Sequence, residues 1–334
     1  MIRYVTVLSA LLALCAANSD AQEVVYALTP AAPPPLRIPN TLRIAGTPAL
    51  ADLLVRWRAE YAGLHPELQF EVQLRGTDVG MAALYTGSAD LVLAGRESTA
   101  AEDKAFEWIY RYRPAHVEIA TGSLDQAGRS PAPVLFVHGD NPLRHLTMAQ
   151  VRAILLPSGH DGTAAIRRWG DLGLTGDWLD AAIHIYSFDM ESGTGRFLRQ
   201  RLLGDSRKLE WSIITEFPAA VAGPDHTVAR RILRALEGDR HGLALAHYLP
   251  GYRGQPLAIA AGDVQEPVLA SSANLISRAY PLARPVYAYF NQPPRSTPAP
   301  EVAAFLDFVR SQAGQAMVAG DGGYLPLPGL PFKP

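Results

Sequence analysis

Three times in this chain an apolar run of strand length meets a glycine beside a hydroxyl residue and passes straight into helical spacing. The three turns are Gly46-Thr47, Gly76-Thr77 and Ser192-Gly193-Thr194. Strand, polar turn and helix in that order leave few architectures, because parallel strands need helical crossovers and the helices then cover the sheet faces. The chain is therefore predicted to be an α/β protein with mainly parallel sheets. In open sheets of this kind ligands sit at the carboxyl ends of strands. Each helix start carries free N–H groups and a partial positive charge, so three of them converging would form an anion pocket. Taken singly, each turn is also a good helix cap and nothing more. Only the set of three points to a ligand.

The elements around these turns follow from periodicity. Residues 41–45 read as a strand. Thr47 as N-cap and Pro48 at the first helical position then open a helix with Leu50, Leu53, Leu54, Trp57 and Tyr61 on one face. Residues 68–74 alternate as a strand, Gly76-Thr77-Asp78 opens a helix containing Met81, Leu84 and Tyr85, and 89–95 is a buried strand. Further strands are expected at 134–138, 183–186, 243–247, 257–260 and 286–290, and helices at 147–155 and around Val302, Phe305, Leu306 and Val309.

The N-terminus has another character. Arg3 precedes an almost wholly apolar run over 5–17, and Ser19-Asp20-Ala21 supplies small residues for cleavage after Ala21. Residues 1–21 therefore read as a secretory signal peptide, too short for a comfortable bilayer anchor. Cys15 is the single cysteine and falls inside it, so the exported chain has no disulfide or thiol chemistry. A Pro-rich spacer, "PAAPPPL", sits in a linker over 22–40. What remains is more than one core usually supports, so two lobes are expected. A net charge of -2 gives no footing for nucleic acid or a membrane surface. His-Glu-x-x-His and Gly-x-Ser-x-Gly are missing, the histidines show no metal spacing, and the glycine turns lack a P-loop lysine. No enzyme, metal site or cofactor is expected.

The chain resembles the periplasmic phosphate-binding proteins of phosphate ABC transporters from Leu42 onward. "RIAGTPALADLLVRW" is similar to the family's first phosphate loop and helix. "LRGTDVGMAALYTGSADLVLAGRES" is similar to its second loop and following strand. "DNPLRHLTMAQVRAIL" with "RRWGDLG", "ESGTGRF", "YPLARPVYAYF" and "FLDFVRSQAGQAMVAGDGGYLPL" follow in family order. The resemblance implies two α/β lobes crossed twice by the chain and closing on a ligand, with lobe I at 41–117 and 255–334 and lobe II at 118–254. It implies capture of inorganic phosphate by a monomer in the periplasm, or outside the cell, for delivery to a transporter's membrane domains.

The resemblance also carries residues. Thr47, with backbone N–H groups near Ala49 and Leu50, matches the first contact loop, Thr77 a hydroxyl donor, and Ser192, Gly193 and Thr194 the third loop. Two departures stand out. Many members carry an arginine a few residues before Ser-Gly-Thr, where this chain has Phe188 and Asp189. Where some members place an aspartate, this chain has Gly95-Arg96-Glu97. Arg96 and Arg196 are then the candidate cations. Arg196 in a helix's first turn opposes the dipole by ~0.3–1 kcal/mol, which an anion would offset; a solvent-facing arginine is the other reading. Asp78 and Glu97 are candidate acceptors for the phosphate proton, the device that would reject sulfate, although Asp78 also reads as a cap. The missing arginine keeps other readings open: another oxyanion or small anionic metabolite, or an extracellular structural or adhesion protein that kept the fold. Hydrolysis of phosphate esters is the least supported, for want of metal ligands.

Overall fold

In the computed structural model, residues 37–126, 128–158, 164–204, 208–218 and 228–329 are described. The expected signal peptide and the linker up to residue 36 lie outside them. No helix among the described residues is long and apolar enough to cross a membrane.

The chain first lays down β1 (Thr41–Gly46), α1 (Ala51–Leu64), β2 (Gln69–Gln73), α2 (Thr77–Tyr85), β3 (Leu91–Ala94), α3 (Ala100–Tyr110) and β4 (Ala115–Thr121). It then builds β5 (Pro133–Val137), β6 (His145–Thr147), α4 (Met148–Leu155), β7 (His184–Phe188), α5 (Gly193–Leu203), β8 (Ile214–Phe217), α6 (Val228–Glu237), β9 (Gly242–His247), β10 (Gln255–Pro256), β11 (Ala258–Ala260) and α7 (Ser272–Ile276). It closes with β12 (Pro285–Phe290), α8 (Pro300–Arg310) and α9 (Gln312–Asp321).

Two five-stranded sheets result, in the orders β2-β1-β3-β12-β4 and β10-β5-β9-β7-β8, with a small β11-β6 pair. The expectation of mainly parallel sheets holds strand by strand but not pair by pair. In the first sheet β12 runs against both neighbours while β1 is parallel to β2 and β3. In the second, β5 runs against β10 and β9 while β7 is parallel to β8 and β9. The two reversed strands are β5, by which the chain enters the second sheet, and β12, by which it returns to the first.

β3 shows why its sequence is apolar throughout. Leu91 and Leu93 face a core shared with α1 and α8, and Val92 and Ala94 face a second core with α2 and α3. A strand covered on both sides needs no polar alternation. The second sheet has its own core, with Trp169 and Phe136 among its largest members.

The second lobe extends further than expected. Leu257, Ile259, Leu275, Tyr280 and Leu282 pack in the core of the second sheet, and the Tyr280 hydroxyl donates to Pro133 O at 3.0 Å. Assigning the chain to lobe I from residue 255 is thus corrected: it rejoins the first sheet at β12. The first crossing likewise falls after β4, beyond residue 117. Apolar anchors at 257–282 mark no boundary in the sequence, because they serve either sheet equally well.

Candidate functional site

The first two turns are pinned together. Gly76 N donates to Gly46 O at 2.9 Å, and Thr47 N to Leu93 O at 2.9 Å. The Thr47 side chain accepts from Ala49 N at 3.3 Å, with Pro48 at the first position of a 3-10 turn that leads into α1. Ala49 O accepts from Arg129 Nη1 and from the Tyr324 hydroxyl, both at 3.0 Å. Leu50 is wholly buried. Thr77 is half-buried at the start of α2 behind Gly76, without a side-chain cap. Asp78 therefore does not cap this helix.

The third turn is capped by Ser192, whose Oγ accepts from Gly195 N at 3.1 Å. Arg196 N is taken by Ser192 O at 2.9 Å. Among the described residues the Gly193 and Thr194 N–H groups are left at the helix start, as the geometry of a first turn requires. Ser192, Gly193 and Thr194 line a cavity of about 400 Å3. Thr47, Ala49, Leu50, Thr77, Asp78, Arg96, Glu97 and Arg196 lie outside its wall.

The cation of this cavity is Arg284, which the sequence reading passed over. It sits just before β12 and is 4% exposed. Its Nη2 donates to Gly95 O at 2.7 Å, and its Nη1 donates to Thr194 Oγ1 at 2.8 Å and Pro131 O at 3.3 Å. One guanidinium thus joins the end of β3, the crossing into β5 and the start of α5. Among the described residues its Nε is buried without a hydrogen-bond partner. Burial, with repulsion from Arg96 added, pulls its pKa down to about 10, so it stays charged at neutral pH. One signal was visible in sequence: Arg284 is the single charge in "YPLARPVYAYF", and a cation in an apolar run is seldom buried without a purpose.

The two arginines singled out from sequence are held by the protein's own carboxylates. Arg96 is 4% exposed; its Nη2 donates to Glu102 Oε1 at 2.7 Å and also to Asp78 Oδ1, and its Nη1 donates to Glu97 O at 2.8 Å. Arg196 Nη1 donates to both oxygens of Asp78 at 2.9 Å and lies near Glu191. Desolvation pushes the Asp78 carboxyl up, but Arg96 and Arg196 outweigh it and hold the pKa below the usual range. The dipole penalty at Arg196 is therefore offset by Asp78 from across the cleft. A second tie crosses beside it, from Gln200 Nε2 to Ser98 O at 2.8 Å. Glu97 accepts from the Tyr287 hydroxyl at 3.3 Å. Arg96 and Arg196, expected as anion donors, and Asp78 and Glu97, expected as proton acceptors, are thus engaged with groups of the protein itself and lie outside the cavity wall. Arg196→Gln is expected to lower the unfolding free energy by less than about 1 kcal/mol, the worth of a partly exposed pair, in urea titrations; a larger loss would make the tie a main support of the fold.

His247, at the end of β9, faces the same cavity. Its ring stacks on Phe188 with centroids 5.9 Å apart, and Nε2 lies 3.4 Å from Thr194 Oγ1. Burial, and then the Arg284 charge, push its pKa down to about 4. Above pH 6.5 neither the folded nor the unfolded chain protonates this ring. Between 6.5 and 4 the unfolded chain does and the folded chain does not, so stability is lost as pH falls through that window. At about 1.4 kcal/mol per pH unit, discounted for the cavity's water, the expected loss is about 2 kcal/mol. Urea unfolding at pH 7 and pH 4.5 measures it. His247→Gln should remove that part of the difference, and an unchanged difference would mean the ring titrates normally.

Among the described residues Asp125 and Asp189 are the carboxylates of the cavity wall. Among the described residues no group of three or more His, Cys, Asp or Glu could hold a metal ion.

Comparison with known proteins follows the same lines. The chain matches the PBP superfamily domain over residues 29–313. It is 32% identical over 330 residues to the phosphate-binding protein PstS of Pseudomonas aeruginosa strain PAO1, covering 96% of this chain and 94% of the relative. The same figures hold for the protein of strain UCBPP-PA14. Among solved structures, PstS from Borrelia burgdorferi aligns with a TM-score of 0.57 at 16% identity, over 86% of this chain and 98% of that one. An ABC-type phosphate transport receptor from Vibrio cholerae aligns with a TM-score of 0.55 at 17% identity, over 85% and 99%. At these identities the solved structures speak for the fold, two lobes of α/β structure.

Proposed function

We infer the function from one premise: this chain belongs to the family of phosphate-binding proteins within the PBP superfamily. It captures inorganic phosphate between its two lobes and delivers it to the membrane components of a phosphate ABC transporter. It is a binding protein without catalytic turnover, and it works in the periplasm after losing residues 1–21.

The observation that carries this reading for the site is Arg284, a buried cation with an unpartnered Nε against the first turn of α5. Micromolar binding needs about 8 kcal/mol. Hydrogen bonds from charged donors contribute ~1.5–3 kcal/mol each before association costs. Arg284 and the Gly193 and Thr194 N–H groups would supply part of that, and other polar groups of the cavity wall, such as Ser130, the remainder. Asp125 or Asp189 would accept the proton that monohydrogen phosphate carries and sulfate lacks. Calorimetry with phosphate and with sulfate tests the reading. One phosphate per chain, a raised melting temperature through linkage and no sulfate heat are expected. The absence of both a heat and a melting shift with millimolar phosphate would overturn it.

Thr194→Val is the companion variant. Ser192, not Thr194, caps α5, so the helix start keeps its cap. The change removes the oxygen that accepts from Arg284 Nη1. Phosphate affinity is expected to fall roughly tenfold, about 1.4 kcal/mol, with the melting temperature little changed. Parent-like affinity would make Thr194 a support for Arg284 and no more.

A further inference from the structure

A row of six charged side chains crosses from one lobe to the other, with the sign alternating at every step: Glu102, Arg96, Asp78, Arg196, Glu191 and Arg199. Arg96 Nη2 reaches Glu102 Oε1 at 2.7 Å and also Asp78 Oδ1. Arg196 Nη1 meets Asp78 Oδ1 at 2.9 Å, and its Nε lies 3.7 Å from Glu191 Oε2. Arg199 Nη1 ends the row on Glu191 Oε1 at 3.1 Å. The first three residues sit on α3, the loop after β3 and α2, in the first lobe; the last three sit on α5 and the turn before it, in the second. Asp78–Arg196 is therefore the step of this row that spans the cleft. One turn further along α5, Gln200 Nε2 donates to Ser98 O at 2.8 Å in the same direction.

We propose that this row is a latch of the cleft and that Asp78 is its positioning residue: through Arg196 it draws the first turn of α5, with the Gly193 and Thr194 N–H groups, against the first lobe. The proposal takes its cargo from the phosphate reading. Two features support it. The row is fixed on either side of the crossing, where the Arg96 and Arg199 side chains are each 4% exposed, while Asp78 is 62% and Arg196 28% exposed. A pair that wet adds little to the fold and breaks at low cost, which suits a contact made and broken with each cargo. The cleft also divides the row unevenly. Two carboxylates and one guanidinium stay with the first lobe, two guanidiniums and one carboxylate with the second. Each half keeps one net charge of opposite sign, so separated halves attract. Asp78 lies outside the cavity wall; its part is to raise the fraction of closed chains, and apparent affinity follows that fraction. The sign of its effect is distinctive. A carboxylate acting on the anion by charge alone would repel it, so deleting it would tighten binding, whereas deleting a latch loosens it.

The test reads phosphate release and lobe distance in Asp78→Asn, Arg196→Gln and the double variant. Release is followed as radiolabelled phosphate leaving into an excess of unlabelled phosphate. Lobe distance is followed between spin labels on Trp108→Cys in α3 and Trp211→Cys in the second lobe, both exposed positions, in the chain without residues 1–21, which has no other cysteine. The expected result is release at least threefold faster in each single variant, no further gain in the double, and inter-label distances shifted from those of the labelled parent. Unchanged distances in Asp78→Asn overturn the latch, whatever happens to release. Unchanged or slower release overturns it as well, because Asp78 then acts by its charge or not at all. Effects that multiply in the double variant belong to two independent residues and also overturn it. Failure of the parent to bind phosphate overturns the phosphate reading alone, and the distances still decide the latch.

Discussion

Arg284→Met is expected to weaken phosphate binding at least a hundredfold, about 3 kcal/mol. The guanidinium is buried and bonded to Thr194 in the first turn of α5, and an anion loses much when a buried counter-charge is removed. The effect on the unliganded fold should be smaller. Arg284 donates to Gly95 O, Pro131 O and Thr194 Oγ1, so its loss leaves three acceptors short at ~1–3 kcal/mol each. Against that, Met relieves the desolvation of a buried charge, a penalty of several kcal/mol. The two nearly cancel, so the change in unfolding free energy should stay within about 2 kcal/mol. Calorimetry and urea unfolding together read both numbers. Undiminished phosphate affinity would place the anion elsewhere in the cleft.

Gly195→Ala is expected to lower the unfolding free energy by about 3 kcal/mol or more, at the upper end for overpacking, and to remove phosphate binding with it. A Cβ at 195 would lie 2.4 Å from Met190 Cα and 2.5 Å from Asp189 O. These are backbone atoms of the turn that leads from β7 into α5, so no side chain can swing aside. The helix start would have to back away from the strand end, taking the Gly193 and Thr194 amides with it. Gly193→Ala is the control, since a Cβ there meets nothing within 4 Å. Alanine's helix propensity should make that variant neutral or more stable by up to ~1 kcal/mol. Equal stability of the two variants would show that the turn relaxes freely.

The contrast between these positions also marks what could be read in the sequence. A cap at Ser192 or Thr194, the Thr47-Pro48 turn and the buried β3 follow from local spacing, and the structure has the turn, the strand and, of the two caps, Ser192. Arg284 was missed because its partners, Gly95, Pro131 and Thr194, lie far from it along the chain, and no local pattern ties them together. The carboxylate partners of Arg96 and Arg196 were hidden for the same reason. An arginine in a helix's first turn looks short of an anion until Asp78, more than a hundred residues away, is found to supply one. Helix starts are written in neighbouring residues; the pairing of charges is decided by which strands end side by side.

The reversed strand β12 has a consequence for how the molecule comes into being. It lies between β3 and β4, so until residue 285 arrives the first sheet is two separate pieces with an empty middle lane. The second sheet has all its strands within residues 133–256. Closing so long a loop costs entropy that only the last strand's pairings return, and contacts between distant residues slow folding. The second lobe should therefore gain protection from hydrogen exchange earlier in refolding, with the first sheet locking only when β12 slides into place. Since Arg284 directly precedes that strand, the cavity it lines is completed in the same closing step. A ligand that needs Arg284 cannot be held before the fold is finished.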